Sequence, residues 1–174
     1  MSGRQTKRIM RITSASVKQT KEIARGLAKY LKAGDVVALI GNVGSGKTFF
    51  VKGLASGLSC RRQKVTSPTF ILMRQYRGRH EVYHFDLYRL KDIHQLEQIG
   101  YEEYFYGDGI TVIEWADRIK KALPRQYLRI EFKIKDDRTR LLKFIPKGRH
   151  YADNLRKFQG KKDTVPQKYP SHSK

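Results

Sequence analysis

Apolar residues recur at helical spacing early in the chain: Ile23, Leu27 and Leu31, with Ala24 and Ala28 beside them. Ser16-Val17-Lys18-Gln19 has the form of a capping box, in which the first and fourth side chains satisfy unpaired backbone N–H groups at a helix start. The pattern predicts an amphipathic helix over 17–32, stopped by Gly34. Val36-Val37-Ala38-Leu39-Ile40 is apolar without alternation and rich in β-branched residues, as in a parallel strand covered on both faces. After a glycine-rich turn, residues 47–58 read as a second helix with Phe50, Leu54 and Leu58 on one face. Residues 65–76, interrupted by Pro68, and 82–87 read as a hairpin about the turn Arg77-Gly78-Arg79-His80. Residues 92–99 read as a short helix, 101–109 as an aromatic and acidic loop, and 110–113 as a buried strand ending at Glu114-Trp115. Beyond Pro124 the pattern becomes strict alternation: Leu128, Ile130, Phe132 and Ile134 against Arg129, Glu131, Lys133 and Lys135. That is a half-buried antiparallel strand, and 141–145 returns to pair with it.

This succession of strands and helices predicts one α/β domain over 12–146, between a basic segment at 1–11 and a basic, mobile tail at 147–174 where apolar residues thin out. The net charge of +21 refines the picture through its placement. Residues 1–32 hold 9 Lys/Arg against 1 acid, residues 33–117 hold 10 against 10, and residues 118–174 hold 18 against 5. A neutral centre with cationic flanks suits contact between the flanks and a polyanion such as RNA, or simply a well-solvated surface. Five consecutive apolar residues cannot span a bilayer, so no membrane helix is expected. Met1 to Arg8 leads into no apolar signal core. Cys60 is the only cysteine, which suits a reducing, cytoplasmic setting; it has no motif around it and reads as structural.

The turn itself carries the chemistry. Gly41-Asn42-Val43-Gly44-Ser45-Gly46-Lys47-Thr48 fits G-x-x-x-x-G-K-[ST], between a buried strand and a helix. Glycines there allow a backbone that turns N–H groups onto phosphate oxygens, and the helix adds its positive end. In that pattern Lys47 reaches the β- and γ-phosphates and Thr48 ligates Mg²⁺. A site of this kind needs a carboxylate at a neighbouring strand end, and two offer themselves: Glu114 and Asp86, the latter in His84-Phe85-Asp86-Leu87-Tyr88-Arg89. One could serve the metal and the other the attacking water; the alternatives are a helix cap or an ion pair with Arg89 for Asp86, and a surface strand end for Glu114. Thr66-Ser67-Pro68-Thr69-Phe70 reads as a γ-phosphate-sensing loop or as a plain proline bend. His80 and His84 have no partners at zinc-ligand spacing.

Four segments taken together carry a resemblance to the TsaE family, the ATPase component of bacterial tRNA threonylcarbamoyladenosine synthesis. They are Gly41–Thr48, Val65–Phe70, His84–Arg89 and Ile113-Glu114-Trp115, within a match over about 12–145. The resemblance implies a P-loop NTPase fold with a mixed central sheet flanked by helices and ending in a β-hairpin. It implies ATP bound at Asn42–Thr48, Mg²⁺ near Thr48 and Glu114, Asp86 needed for turnover, Asp117 near the adenine, and TsaD and TsaB as partners. Asn42 stands where the family often has an acid. The strongly basic flanks are no family hallmark and leave direct tRNA contact open. A small GTPase is disfavoured, since no Asn/Thr-Lys-x-Asp element is present to read guanine. The rival readings are a P-loop small-molecule kinase, with Arg61-Arg62 or Arg77-Gly78-Arg79 as lid arginines, and a nucleotide-sensing RNA-binding protein.

Overall fold

A computed structural model of the chain describes residues 9–60 and 72–162. Its strands are β1 (Met10–Ser14), β2 (Val36–Ile40), β3 (Met73–Arg77), β4 (Glu81–Asp86), β5 (Ile110–Glu114), β6 (Tyr127–Ile134) and β7 (Arg140–Lys147). Its helices are α1 (Val17–Leu27), α2 (Lys47–Gly57), α3 (His94–Glu97), α4 (Tyr101–Phe105) and α5 (Arg149–Lys162). Short 3₁₀ turns occupy Ala28–Tyr30 and Ala116–Ile119. The strands form one mixed sheet in the order β1-β7-β6-β2-β5-β4-β3. β2 runs parallel to both β5 and β6, β4 runs parallel to β5, and the outer pairs are antiparallel. The α/β class with a mixed sheet and a β6–β7 hairpin is as the sequence predicts.

Burial follows from the pleat. Val37 and Leu39 of β2 enter a core shared with α1, α2 and α5, while Val36 and Ala38 enter a core shared with α3, α4 and the Ala116–Ile119 turn. Because β2 is covered on both sides, its sequence is continuously apolar. Alternation in β6 sends Leu128, Ile130 and Phe132 inward. At the start of α1, Ser16 Oγ accepts from Gln19 N at 3.1 Å, and Gln19 Oε1 accepts from Ala15 N at 2.6 Å, a near-complete capping box. α1 packs so tightly on α2 that a Cβ on Gly53 would collide with the Lys21 carbonyl oxygen.

The structure corrects four sequence expectations. The first helix ends at Leu27 and tightens into a 3₁₀ turn instead of running to 32. The acidic aromatic stretch is helical over Tyr101–Phe105, its Phe105 buried under the sheet. The domain begins earlier than residue 12, because β1 starts at Met10 and pairs with β7. The expected mobile tail is ordered through α5. Tyr151, Leu155 and Phe158 lie four and three apart on one helix face, and all are buried. Charged residues around them dilute the signal in composition without removing it. The Phe158 ring meets Tyr30 at 6.0 Å and Phe144 at 6.3 Å. The Tyr151 hydroxyl accepts from Val36 N at 2.8 Å, so α5 grips the first residue of β2.

Two consequences are measurable. Phe158→Ala should cost about 3 kcal/mol or more in urea unfolding, the usual range for emptying a buried phenyl site; a tail that contributed nothing would give no change. Burial pushes the Tyr151 phenol above its ordinary 10.0, with Asp35 adding to the rise. A raised folded-state value means the stabilisation is complete below pH 10 and drains away as pH climbs beyond it. The alkaline fall in unfolding free energy should therefore be shallower in Tyr151→Phe than in the parent protein, read from urea midpoints at pH 8 and about 11.

Candidate active site

The chemistry gathers at the carboxyl ends of the parallel strands, the usual place for a ligand in an open α/β sheet. Register sets it there. Leu39 of β2 pairs with Glu114 of β5, which pairs with Asp86 of β4. Two residues beyond Leu39 the glycine-rich loop begins. Gly44 and Gly46 take φ values of 73° and 102°, with open space where a Cβ would stand. These left-handed values favour glycine and curl the loop into the start of α2.

Val43, Gly44, Gly46, Lys47, Thr48 and Phe49 form one wall of a cleft of about 300 Å³; Asp86, Tyr88, Glu114 and Trp115 form the other. Thr48 Oγ1 donates to Glu114 Oε2 at 2.9 Å. The other oxygen, Oε1, lies 2.8 Å from His84 Nε2. Glu114 is 2% exposed and His84 is fully buried, so the carboxylate is held from both sides. Asp86, also buried, accepts from Tyr88 N at 3.0 Å. Lys47 Nζ donates to the loop carbonyls of Gly41 at 2.6 Å and Asn42 at 3.0 Å, and lies 3.9 Å from the centre of the Trp115 ring. Burial lowers the Lys47 pKa from its ordinary 10.5, while Glu114, then Asp86 and Asp117, pull it back up. Trp115 has a left-handed backbone, φ 60°, an uncommon state for a bulky residue and one that clusters at ligand sites.

Of the residues singled out from sequence, the structure thus brings Gly44, Gly46, Lys47, Thr48, Asp86 and Glu114 together. Gly41 and Asn42 contribute carbonyls to the ammonium, and Val43 sits exposed at the rim. Ser45 Oγ is buried without a hydrogen-bond partner. Asp117 lies on the 3₁₀ turn after Trp115, acts on Lys47 through its charge, and is not among the residues lining the cleft. Thr66–Phe70 and Arg61-Arg62 fall outside the described residues. Cys60 is buried, which pushes its thiol up instead of activating it. Sequence reasoning gave no role to His84, Tyr88 or Phe49. His84 stands two residues before Asp86 in the same strand, and alternation alone places it on Asp86's face. A second cleft of about 270 Å³ shares Gly44, Gly46 and Phe49 with the first and adds Ala15, Val17 and Thr20 of the α1 start.

The family model described as threonylcarbamoyl adenosine biosynthesis protein TsaE matches residues 14–142. The chain belongs to the TsaE family. It is 42% identical over 134 residues to the tRNA threonylcarbamoyladenosine biosynthesis protein TsaE of Bacillus subtilis (strain 168), covering 76% of this chain and 83% of that one. It is 40% identical over 131 residues to the protein of the same name from Treponema pallidum (strain Nichols), covering 75% and 96%. The solved structure of Bacillus subtilis YdiB superposes with a TM-score of 0.78 at 32% identity, over 89% of this chain and 97% of that one. Fold and loop are those of a P-loop NTPase-like protein, and no helix among the described residues is long and apolar enough to cross a membrane.

The lysine's environment can be checked directly. Glu114 is the largest influence raising the Lys47 ammonium, so Glu114→Gln should move the Lys47 pKa further down, seen as a shifted midpoint in a ¹³C NMR titration of the Lys47 Cε. An unchanged midpoint would place the carboxylate's field elsewhere.

Proposed function

We propose that the protein binds Mg–ATP in the P-loop cleft and hydrolyses it in support of threonylcarbamoyl modification of tRNA, in concert with TsaD and TsaB. The observation that carries the reading is the Thr48–Glu114 contact of 2.9 Å beside Lys47 and Asp86. The residues fit the group. The donors are hard oxygens, and the loop leaves room at Gly44 and Gly46 for an anion to approach the backbone. Among the described residues no three His, Cys, Asp or Glu side chains are grouped as a cage. The hydroxyl and carboxylate of Thr48 and Glu114, in contact at 2.9 Å, suit a magnesium held by one or two protein oxygens and by the phosphates themselves.

Thr48 and Glu114 would hold the metal, with His84 fixing the rotamer of Glu114. The bound ion supplies charge neutralisation of the phosphates and a Lewis acid at the transferring group. Lys47 holds its ammonium beside the loop, in a desolvated setting where its charge acts strongly on a phosphate oxygen. Asp86, one strand over from Glu114, orients a water and takes its proton at the carboxylate. Ala15 and Val17 in the second cleft offer apolar surface to the nucleoside. The family's place in tRNA threonylcarbamoyladenosine biosynthesis supports action in the cytoplasm.

Steady-state phosphate release with Mg–ATP, alone and with TsaD, TsaB and tRNA, tests the reading. Asp86→Asn should lower kcat by about 10² or more while ATP affinity stays within a few-fold. Lys47→Ala should weaken ATP binding itself. Hydrolysis that neither variant changes would overturn the assignment, and phosphate appearing on a small-molecule acceptor would favour the kinase reading.

A further inference from the structure

The fold assembles a cationic surface from two segments far apart in sequence. α1 carries Lys18, Lys21 and Arg25 three or four residues apart, so they share one face with about 5–6 Å between neighbours, and Lys29 follows on the 3₁₀ turn at its end. α5 lies against the end of that helix. The side-chain nitrogen of Asn154 donates to the Tyr30 carbonyl at 2.8 Å, and a groove of about 300 Å³ runs between Glu22, Lys29, Tyr30 and Phe158. α5 adds Arg149, Arg156 and Lys157. Asp153 pairs with both arginines, and Glu22 is the acid on the exposed side of α1. Lys18, Arg25, Lys29 and Lys157 are exposed and make no ion pair with any described residue. On the opposite side of the sheet the stretch 92–108 holds Asp92, Glu97, Glu102, Glu103 and Asp108 and no lysine or arginine, with Lys91, Lys120, Lys121 and Arg125 exposed around it.

Toward the P-loop the cationic face ends on an exposed aromatic. Phe49, 40% exposed, has Lys21 Nζ at 5.5 Å and Lys52 Nζ at 5.4 Å from its ring centre. A row of cations with few interleaved acids, ending on an exposed ring flanked by two ammonium groups, suits a phosphate backbone with a base to stack. An acidic protein surface would use the charges and leave the ring without purpose.

We propose that the α1–α5 face, extended over Phe49, is a binding surface for RNA. The choice of RNA rests on the tRNA-linked function proposed above; the charge geometry stands apart from it. It makes the face a docking site for the substrate nucleic acid, with the P-loop cleft at one end.

The test is fluorescence anisotropy of labelled, unmodified tRNA with the full chain across a potassium chloride series. One variant neutralises the face (Lys18→Gln, Arg25→Gln, Lys29→Gln, Lys157→Gln). A charge-matched control neutralises four exposed cations flanking elements on the opposite face (Lys91→Gln, Lys120→Gln, Lys121→Gln, Arg125→Gln). At about 0.1 M salt, where surface charges still act over roughly 10 Å, the face variant should bind tRNA at least about tenfold more weakly. Its plot of log K against log salt should be shallower by about 3, the slope expected for four lost phosphate contacts. The control should stay within about threefold. Equal losses in both variants would reduce the effect to diffuse net charge and overturn the proposal. So would a parent protein that does not bind tRNA, or one that binds phosphatidylserine vesicles through this face and not tRNA. ATP binding, measured alongside, should be the same in all three proteins. Its absence from the parent would defeat the proposed function, whereas its presence without face-dependent tRNA binding would defeat only the docking surface.

Discussion

The site depends on the parallel pairing of β5 between β2 and β4. Parallel strands that start level end level, so Leu39, Glu114 and Asp86 are brought abreast and the loop leaving β2 curls over the two carboxylates. One residue of slippage would turn Glu114 away from Thr48 and exchange its face with Ile113, which belongs to the core under α3 and α4. The apolar cost of burying a glutamate in that core is what holds the register. Function and packing are therefore specified by the same alternation of side chains.

A buried carboxylate needs partners, and this one has two of different kinds. Thr48 ties Glu114 to the first turn of α2, and His84 ties it to the neighbouring strand. Lys47, by contrast, is held by its own loop carbonyls and by an indole face, interactions that a phosphate can replace. Acid and base thus differ in how firmly they are placed. The acid is built into the sheet, while the ammonium rests on exchangeable contacts.

Much of this was legible in the residues. The glycine spacing, the unbroken apolar run before it and the Ile110–Ile113 strand before Glu114 each carry a direct physical meaning, and they located the cleft. What was not legible came from long-range packing. Nothing local says that Tyr151 reaches Val36, 115 residues away, or that Met10–Ser14 has an edge of β7 to pair with. Tyr151, Leu155 and Phe158 do carry helical spacing, but their neighbours are so polar that composition reads as unstructured chain. The role of His84 is illegible for a related reason. Its partner is a carboxylate on the next strand, 30 residues away, which no local spacing reveals.

The chain's single tryptophan is Trp115, and its ring lies 3.9 Å from the Lys47 ammonium and 5.1 Å from Tyr88. Indole emission responds to a nearby cation and to the polarity of its surroundings. The protein therefore carries an intrinsic optical reporter at the centre of its cleft, and the arrival or departure of anything that draws Lys47 off the ring would register in its ultraviolet fluorescence without a label.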